Sequence, residues 1–429
     1  MGSNQYVYSA LQDDKHIWLL RLSPSSNPLD RLEGSLFEYP LSDIGAQTQL
    51  YEALSYTWGP PEKQHSIWID DKELTVTANC HAALQKLRDC FIERILWVDA
   101  ICIDQGSLGE RAKQVQLMAE VYYKARQVIV WLGEATPETD EAIECIRAAA
   151  QREDTATGKD APTPQSIISL LERPWFRRVW ILQEVAAAQH VIVVCGSSEI
   201  DGYAFCLGVP TYIDTEESFS VISSVEYLMR GSIFRPKYTR TTSGSVTLSI
   251  RPLGELMDMY HAHDATDPLD KTFAMLGMST DGSSATELTP DYSIPWGVLF
   301  RRLITFLLGP KVTVKTSNSH KVAVISGKGF VIGKVASVAP RSNKDRDFRV
   351  TMAFTGSFES AWPPRTWNIH AGVKGVQPDD IFCMLDGATS PMLIRQNGRH
   401  FAVIMITINS VQPPIDMPQN SNPRNFVLT

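Results

Sequence analysis

Trp180 and Glu184, in WILQE at 180–184, are four residues apart, so on a helix they share a face. An indole in that position could wall a pocket and desolvate the acid, which raises a carboxyl pKa. The plainer alternative leaves Trp180 in the core and pairs Glu184 with Arg177 or Arg178, one to two turns earlier. Arg177 and Arg178 could instead grip phosphate through a planar guanidinium, and because adjacent helical residues point in different directions, at most one of the two arginines serves. Asp99, Asp104 and Gln105 lie in VDAICIDQ at 98–105, where a β-branched apolar run gives way to a polar loop. Open α/β sheets place their ligands at such strand ends, although aspartates there also bond loop backbone and cap the next helix. Ser55, Tyr56, Thr57 and Trp58 in SYTWG at 55–59 emerge from another strand-like run. They offer hydroxyls and aromatic faces to a nucleotide, while Gly59-Pro60-Pro61 turns the chain.

Other motifs are dismissed on their spacing. His261, His263 and Asp264 form an HxHD cluster, but no third His or Cys stands at ligand spacing and Asp267-Pro268 marks a turn, so a satisfied surface cluster is expected and no metal site. GKGFVIGK at 327–334 fits neither a P-loop nor GxGxxG, and Val335 stands where a hydroxyl is required. The absence of GxSxG, HExxH and CxxC leaves serine hydrolase, zinc protease and thiol redox chemistry without support.

The elements that must position these residues alternate between strand and helix in the first half, the pattern of a parallel sheet covered by helices. IWLLRL at 17–22 reads as a strand and is followed by a polar, proline-containing loop. ALSYTW at 53–58 is another strand, and IWID, the Asp70-Asp71 turn and ELTVT form a hairpin. Asn79 is expected to cap a helix running to about Cys90. After RILWVD, the spacing of Val115, Met118, Ala119 and Tyr122 predicts a helix over 110–125. VIVWLG at 128–133 and VIVVCG at 191–196 read as buried strands flanking the WILQEVAAAQ helix, with an exposed acidic loop at 152–164. Residues 214–250, rich in Ser and Thr, show no clear period. From about 312, short alternating stretches separated by Gly, Pro and Asp predict a small antiparallel β module. The expected organisation is a lead-in over 1–50, an α/β core over 51–200, a mainly helical extension over 201–311, the β module over 312–411 and a loose tail over 412–429.

The chain has 429 residues, 44% of them apolar, enough for more than one core. A formal charge of −8 supplies no field for phosphate backbones, so no nucleic-acid partner is expected. No apolar run reaches the ~18 residues of a membrane span, and the N-terminal stretch lacks a basic region followed by an apolar one. Seven cysteines, an odd number without paired spacing, suggest a reducing compartment and a cytoplasmic location.

Several stretches, in order and spacing, resemble the successive blocks of the fungal heterokaryon-incompatibility (HET) domain: YEALSYTWG at 51–59, LWVDAICIDQ at 96–105 with Glu110-Arg111, QVQLMAEVYYKARQVIVWLG at 114–133, and RPWFRRVWILQEVAAAQHVIVVCG at 173–196. DATDPLDKTFAMLGM at 264–278, PDYSIPWGVLFRRLITFLLG at 290–309 and VQPDDIFCMLDGATSPMLIRQNGRHFAVIMI at 376–406 are similar to segments that follow that domain. The resemblance implies a role in fungal non-self recognition, ending in growth arrest or programmed cell death, and a fold distantly similar to the Toll/interleukin-1 receptor (TIR) domain, a parallel sheet flanked by helices. Some TIR domains cleave NAD with the glutamate of a W-x-x-x-E motif, the form of Trp180–Glu184. Through that resemblance Glu184 becomes a catalytic candidate, able to stabilise oxocarbenium-like charge as nicotinamide leaves. NAD is then a substrate; no cofactor is implied. TIR-like modules switch by proximity, so self-association or a protein partner is expected. Three readings follow: a scaffold or effector with Glu184 paired inside the core, an enzyme with Glu184 lining an open pocket, or an accessory or tailoring protein of a fungal specialised-metabolism pathway.

Overall fold

Apolar runs without alternation become interior strands, because a strand covered on both faces has no solvent side to mark with polar residues. In the computed structural model, which describes residues 5–41, 50–151, 165–211, 220–232, 239–240, 246–281, 284–317, 322–340, 347–355, 364–370, 375–408 and 423–428, the chain divides into two units, Met1–Leu248 and Ser249–Thr429.

The first unit is built from β1 (His16–Leu22), β2 (Glu33–Pro40), β3 (Glu52–Tyr56), β4 (His65–Ile69), β5 (Lys72–Val76), α1 (Ala78–Leu87), β6 (Arg94–Trp97), α2 (Asp99–Cys102), α3 (Leu108–Lys124), β7 (Val128–Trp131), α4 (Pro137–Ala150), α5 (Gln165–Leu171), α6 (Trp180–Ala187), β8 (Val191–Cys195), β9 (Ser198–Asp201), α7 (Gly202–Gly208) and α8 (Ser220–Ser232), with two-residue strands β10 (Thr239–Arg240) and β11 (Val246–Thr247). Its sheet runs β5-β4-β2-β1-β6-β3-β7-β8-β9. The expected parallel pairing holds at the centre, where β6, β3, β7 and β8 pair in parallel, and again between β2 and β4, whereas β1 pairs antiparallel with both β2 and β6, β5 with β4, and β9 with β8. The sheet is therefore mixed, and the fold is mixed α/β.

β2 falls in the stretch read as a loop. Its EGSLFEYP sequence buries little, yet it pairs with β1 along seven positions from His16↔Pro40 to Leu22↔Gly34, a long-range partnership that local pattern does not announce. The hairpin β4–β5 turns on Asp70 and Asp71, both with positive φ, 48° and 61°, the two left-handed residues a tight hairpin of the primed type requires. Thr77, not Asn79, caps α1 by accepting the Cys80 N–H, because Asn79 already lies in the first turn with its amide engaged elsewhere. In the stretch read as aperiodic, α8 buries Val221, Ile222, Val225, Leu228 and Met229, a helical spacing hidden among serines. The acidic loop at 152–164 lies outside the described residues.

The second unit holds α9 (Leu253–Met259), α10 (Asp270–Leu276), α11 (Trp296–Leu308), β12 (Thr313–Ser317), β13 (Val322–Pro340), β14 (Asp347–Phe354), β15 (Arg365–His370), β16 (Ile381–Leu385), β17 (Met392–Asn397), β18 (His400–Met405) and β19 (Arg424–Leu428). β13 is long enough to take several neighbours in turn, β12, β19, β16 and β14. With β16-β17-β18-β19 in sequence and β19 returning to β13, five strands close into a ring. Where β13 passes its neighbours the backbones touch, and a Cβ at Gly333 would stand 2.4 Å from the Ala353 carbonyl oxygen. The interior includes Ile332, Val350, Met352, Phe382, Leu393 and Ile408. Asp258 on α9 ties helix to sheet, accepting the Ile406 N–H at 2.8 and 2.9 Å and the Thr407 N–H at 3.3 Å. Of the tail, residues 412–422 lie outside the described residues. Residues 424–428 are not loose: Phe426 and Leu428 are buried, so alternation inward earns this segment a place in the ring.

Among the described residues, no helix is long and apolar enough to cross a membrane.

Candidate functional site

The sheet order reverses at β3. The chain leaves β3 through α1 to reach β6 on one side, then returns through α3 to β7 on the other, and right-handed crossovers of opposite direction put α1 and α3 on opposite faces. The carboxyl end of β3 is thus the switch point where such sheets open a crevice, and the Ser55–Gly59 segment occupies it.

Ser55 is completely buried near the end of β3. Its hydroxyl accepts a hydrogen bond from the Trp175 indole N–H at 2.8 Å and donates to the Glu184 carboxyl on α6. Glu184, 2% exposed, also meets the Tyr122 hydroxyl of α3, which donates to the Leu54 carbonyl at 3.1 Å. Arg178, half-buried, donates to the Tyr56 carbonyl. Burial pushes the Glu184 carboxyl up to about 7; the Arg178 charge and the Ser55 and Tyr122 hydroxyls pull against that rise, and the Asp99 charge adds to it. A carboxyl in this setting shares its proton near neutrality.

A second cluster lies at the ends of β3 and β6. The Trp58 indole donates to Asp99 at 2.8 Å, the Ala100 N–H caps the same carboxyl at 2.7 Å, and the Gln105 amide reaches the Asp99 carbonyl at 2.9 Å. Burial raises the Asp99 carboxyl above its ordinary value, opposed by Arg178 and by the Trp58 hydrogen bond. Arg178 therefore acts on both acids. Asn79 links the neighbouring strand ends, donating to the Thr57 carbonyl at 2.6 Å and accepting from the Trp131 indole at 2.9 Å.

Of the residues singled out from sequence, Ser55 and Glu184 meet directly, and Trp58, Asp99 and Gln105 form one cluster. Tyr56 is buried beside them, its carbonyl rather than its hydroxyl held by Arg178. Trp180 is buried one turn before Glu184 on α6. Asp104 stays with its loop: its carboxylate accepts the Gly106 N–H at 3.0 Å and its own N–H goes to Glu110 at 3.0 Å. Arg177 is exposed at the end of a 3-10 turn, Pro174–Arg177, so the inward arginine is Arg178. Trp175 was not singled out, and Asn79 and Tyr122 were read only as a helix cap and a helix-face residue; the tryptophan directly after Arg173-Pro174 was the available signal, since a proline-initiated turn fixes the direction of its indole. His263 is buried and His261 exposed, so the HxHD residues do not converge. Among the described residues, no group of three or more His, Cys, Asp or Glu is placed to hold a metal.

Chemically, the inner cluster is a serine hydroxyl and a half-protonated acid in a dry setting, with a cation nearby, and the outer cluster a second acid under an indole.

Residues 51–184 match the family described as Heterokaryon incompatibility protein (HET), a span that begins just before β3 and ends on Glu184. The chain is 28% identical over 246 residues to Heterokaryon incompatibility protein 6, OR allele, of Neurospora crassa, covering 46% of this chain and 36% of that protein. The chain thus spans about a third of the length of that curated relative. No solved structure matches.

Proposed function

We propose, on the premise that this is a HET-domain protein, that it acts in fungal heterokaryon incompatibility as a cytoplasmic effector or regulator of programmed cell death, its signal carried by assembly with a protein partner or another copy of itself. The observation that carries this reading is the closed pairing of Glu184. An acid that acts on a substrate must be reachable by it, whereas this carboxyl is 2% exposed and Ser55, its donor, is completely buried. The network joins β3, α3, the 174–177 turn and α6 at one point, which suits a rigid scaffold. The parallel centre between helices supports a TIR-like reading of the HET segment.

One observation favours the second reading, cleavage of NAD. A carboxyl raised to about 7, one turn from a tryptophan and beside the switch-point crevice, has the protonation behaviour of a general acid. It requires that assembly open the crevice.

The test has two arms. Purified chain at high concentration is incubated with NAD, and nicotinamide release is followed for wild type and Glu184→Ala; in parallel, wild type and Ser55→Ala are expressed from an inducible promoter in a filamentous fungus and growth is scored. The scaffold reading expects no nicotinamide release, with growth arrest that weakens when Ser55 is removed. Turnover that disappears in Glu184→Ala would replace it with the enzymatic reading, and wild-type expression without effect on growth would sink the effector role.

A further inference from the structure

His65 on β4 and His81 on α1 face one another away from the Glu184 network. Their ring centroids are 4.8 Å apart with planes inclined at 36°, and both residues are half-buried. Among the described residues neither imidazole makes a side-chain hydrogen bond or ion pair; His81 lies against the His65 ring and within reach of the Arg88 charge. Together with Asp30, Ser66, Trp68 and Gln85 they line an open groove of about 470 Å³. Two half-buried imidazoles on the wall of an open groove are reachable by an ion from solvent, and the neutral ring is a common metal ligand.

We propose that His65 and His81 chelate a single borderline divalent cation, of the class Zn²⁺, Ni²⁺ or Cu²⁺, whose remaining positions are filled by water or by a donor from another molecule. The ring separation carries the argument. A metal–nitrogen bond of about 2.0–2.1 Å puts the ion roughly 3.2 Å from each ring centre, so two imidazoles on one ion have centroids about 4.5 Å apart at a right angle and about 5.2 Å apart at the tetrahedral angle. The observed 4.8 Å lies between them. Imidazole, with an ordinary pKa of about 6.5, is mostly neutral and ligating above pH 7, and it selects these ions over Mg²⁺ or Ca²⁺. Since no third His, Cys, Asp or Glu joins the pair among the described residues, and no acceptor braces either ring, the site is an open, exchangeable one.

Titration calorimetry of the full chain with ZnCl₂, and electron paramagnetic resonance with Cu²⁺, test the proposal on wild type, His65→Gln and His81→Gln, each checked for an unchanged circular dichroism spectrum and melting temperature. Wild type binds one Zn²⁺ per chain; each variant binds at least tenfold more weakly, and the nitrogen hyperfine pattern falls from two imidazoles to one. Zinc binding that survives either substitution unchanged, or no binding by wild type at millimolar zinc, overturns the chelate.

Discussion

Replacing Glu184 by glutamine separates the ionisation of this buried acid from its shape. Gln keeps a carbonyl for the Ser55 donor and fills the same volume, but it never ionises. The wild-type carboxyl titrates at about 7 in the folded chain against an ordinary value of 4.5. Its folded pKa is raised, so between those values the native state binds more protons than the unfolded state and stability falls as pH rises. Below pH 4.5 the group is protonated in both states and imposes nothing. Above pH 7 the whole penalty is in place, about 3 kcal/mol for two and a half units. The stability of Glu184→Gln relative to wild type is therefore expected to climb by about 3 kcal/mol between pH 4.5 and 8, whatever fixed offset the amide brings. In a unit of this size that is a relative melting shift on the order of 6–12 °C. Urea and thermal unfolding followed by tryptophan fluorescence suit the measurement, since Trp175 and Trp180 flank the site. Groups that do not interact with Glu184 titrate alike in both proteins and cancel in the difference; Asp99, whose charge reaches Glu184, is the exception. A difference that stays flat across this range, or one in which the variant loses ground as pH rises, would refute the argument.

Ser55→Ala removes a hydroxyl that serves both the Trp175 indole and the Glu184 carboxyl; the indole loses its acceptor and the carboxyl one of its donors, at an expected cost of about 2–4 kcal/mol in denaturant unfolding. Asp258→Asn deprives the Ile406 and Thr407 N–H groups of a charged acceptor; a loss of about 1.5–3 kcal/mol is expected, read as faster hydrogen exchange at those two amides. Gly333→Ala drives a Cβ to 2.4 Å from the Ala353 carbonyl oxygen, a backbone atom that cannot swing aside, so β13 and β14 must separate at a cost of about 1–3 kcal/mol, visible as a lower melting temperature of the C-terminal unit.

Much of the first unit could be read from its residues because β7 and β8 are continuous apolar runs that only a doubly covered strand explains, and because Asp70-Asp71 announces a hairpin by its own chemistry. The Ser55–Trp58 and Asp99 segments were legible as strand ends, hence as occupants of the crevice. What stayed hidden depends on partners remote in sequence. Ser55 and Glu184 are individually unremarkable, and only the crossover that lays α6 over β3 makes them one network. The choice between Arg177 and Arg178 rests on where a 3-10 turn stops, a matter of one residue. β2 takes its order from β1 rather than from its own alternation, and the antiparallel neighbours that make the sheet mixed follow from the same dependence.

The ring of strands in the C-terminal unit has a consequence in time rather than in space. Ile325 on β13 pairs with Leu428 on β19, partners about a hundred positions apart, and closing so long a loop slows folding. During synthesis, β13 emerges early and waits for its last neighbour, with the Ile325–Gly329 edge offering unpaired N–H and C=O groups meanwhile. An edge in that state accepts an identical strand from another molecule as readily as its own. The C-terminal unit is thus expected to refold to monomer in dilute solution and to strand-exchanged dimer as concentration rises, so that crowding during synthesis, more than the finished contacts, sets how many copies leave as single chains.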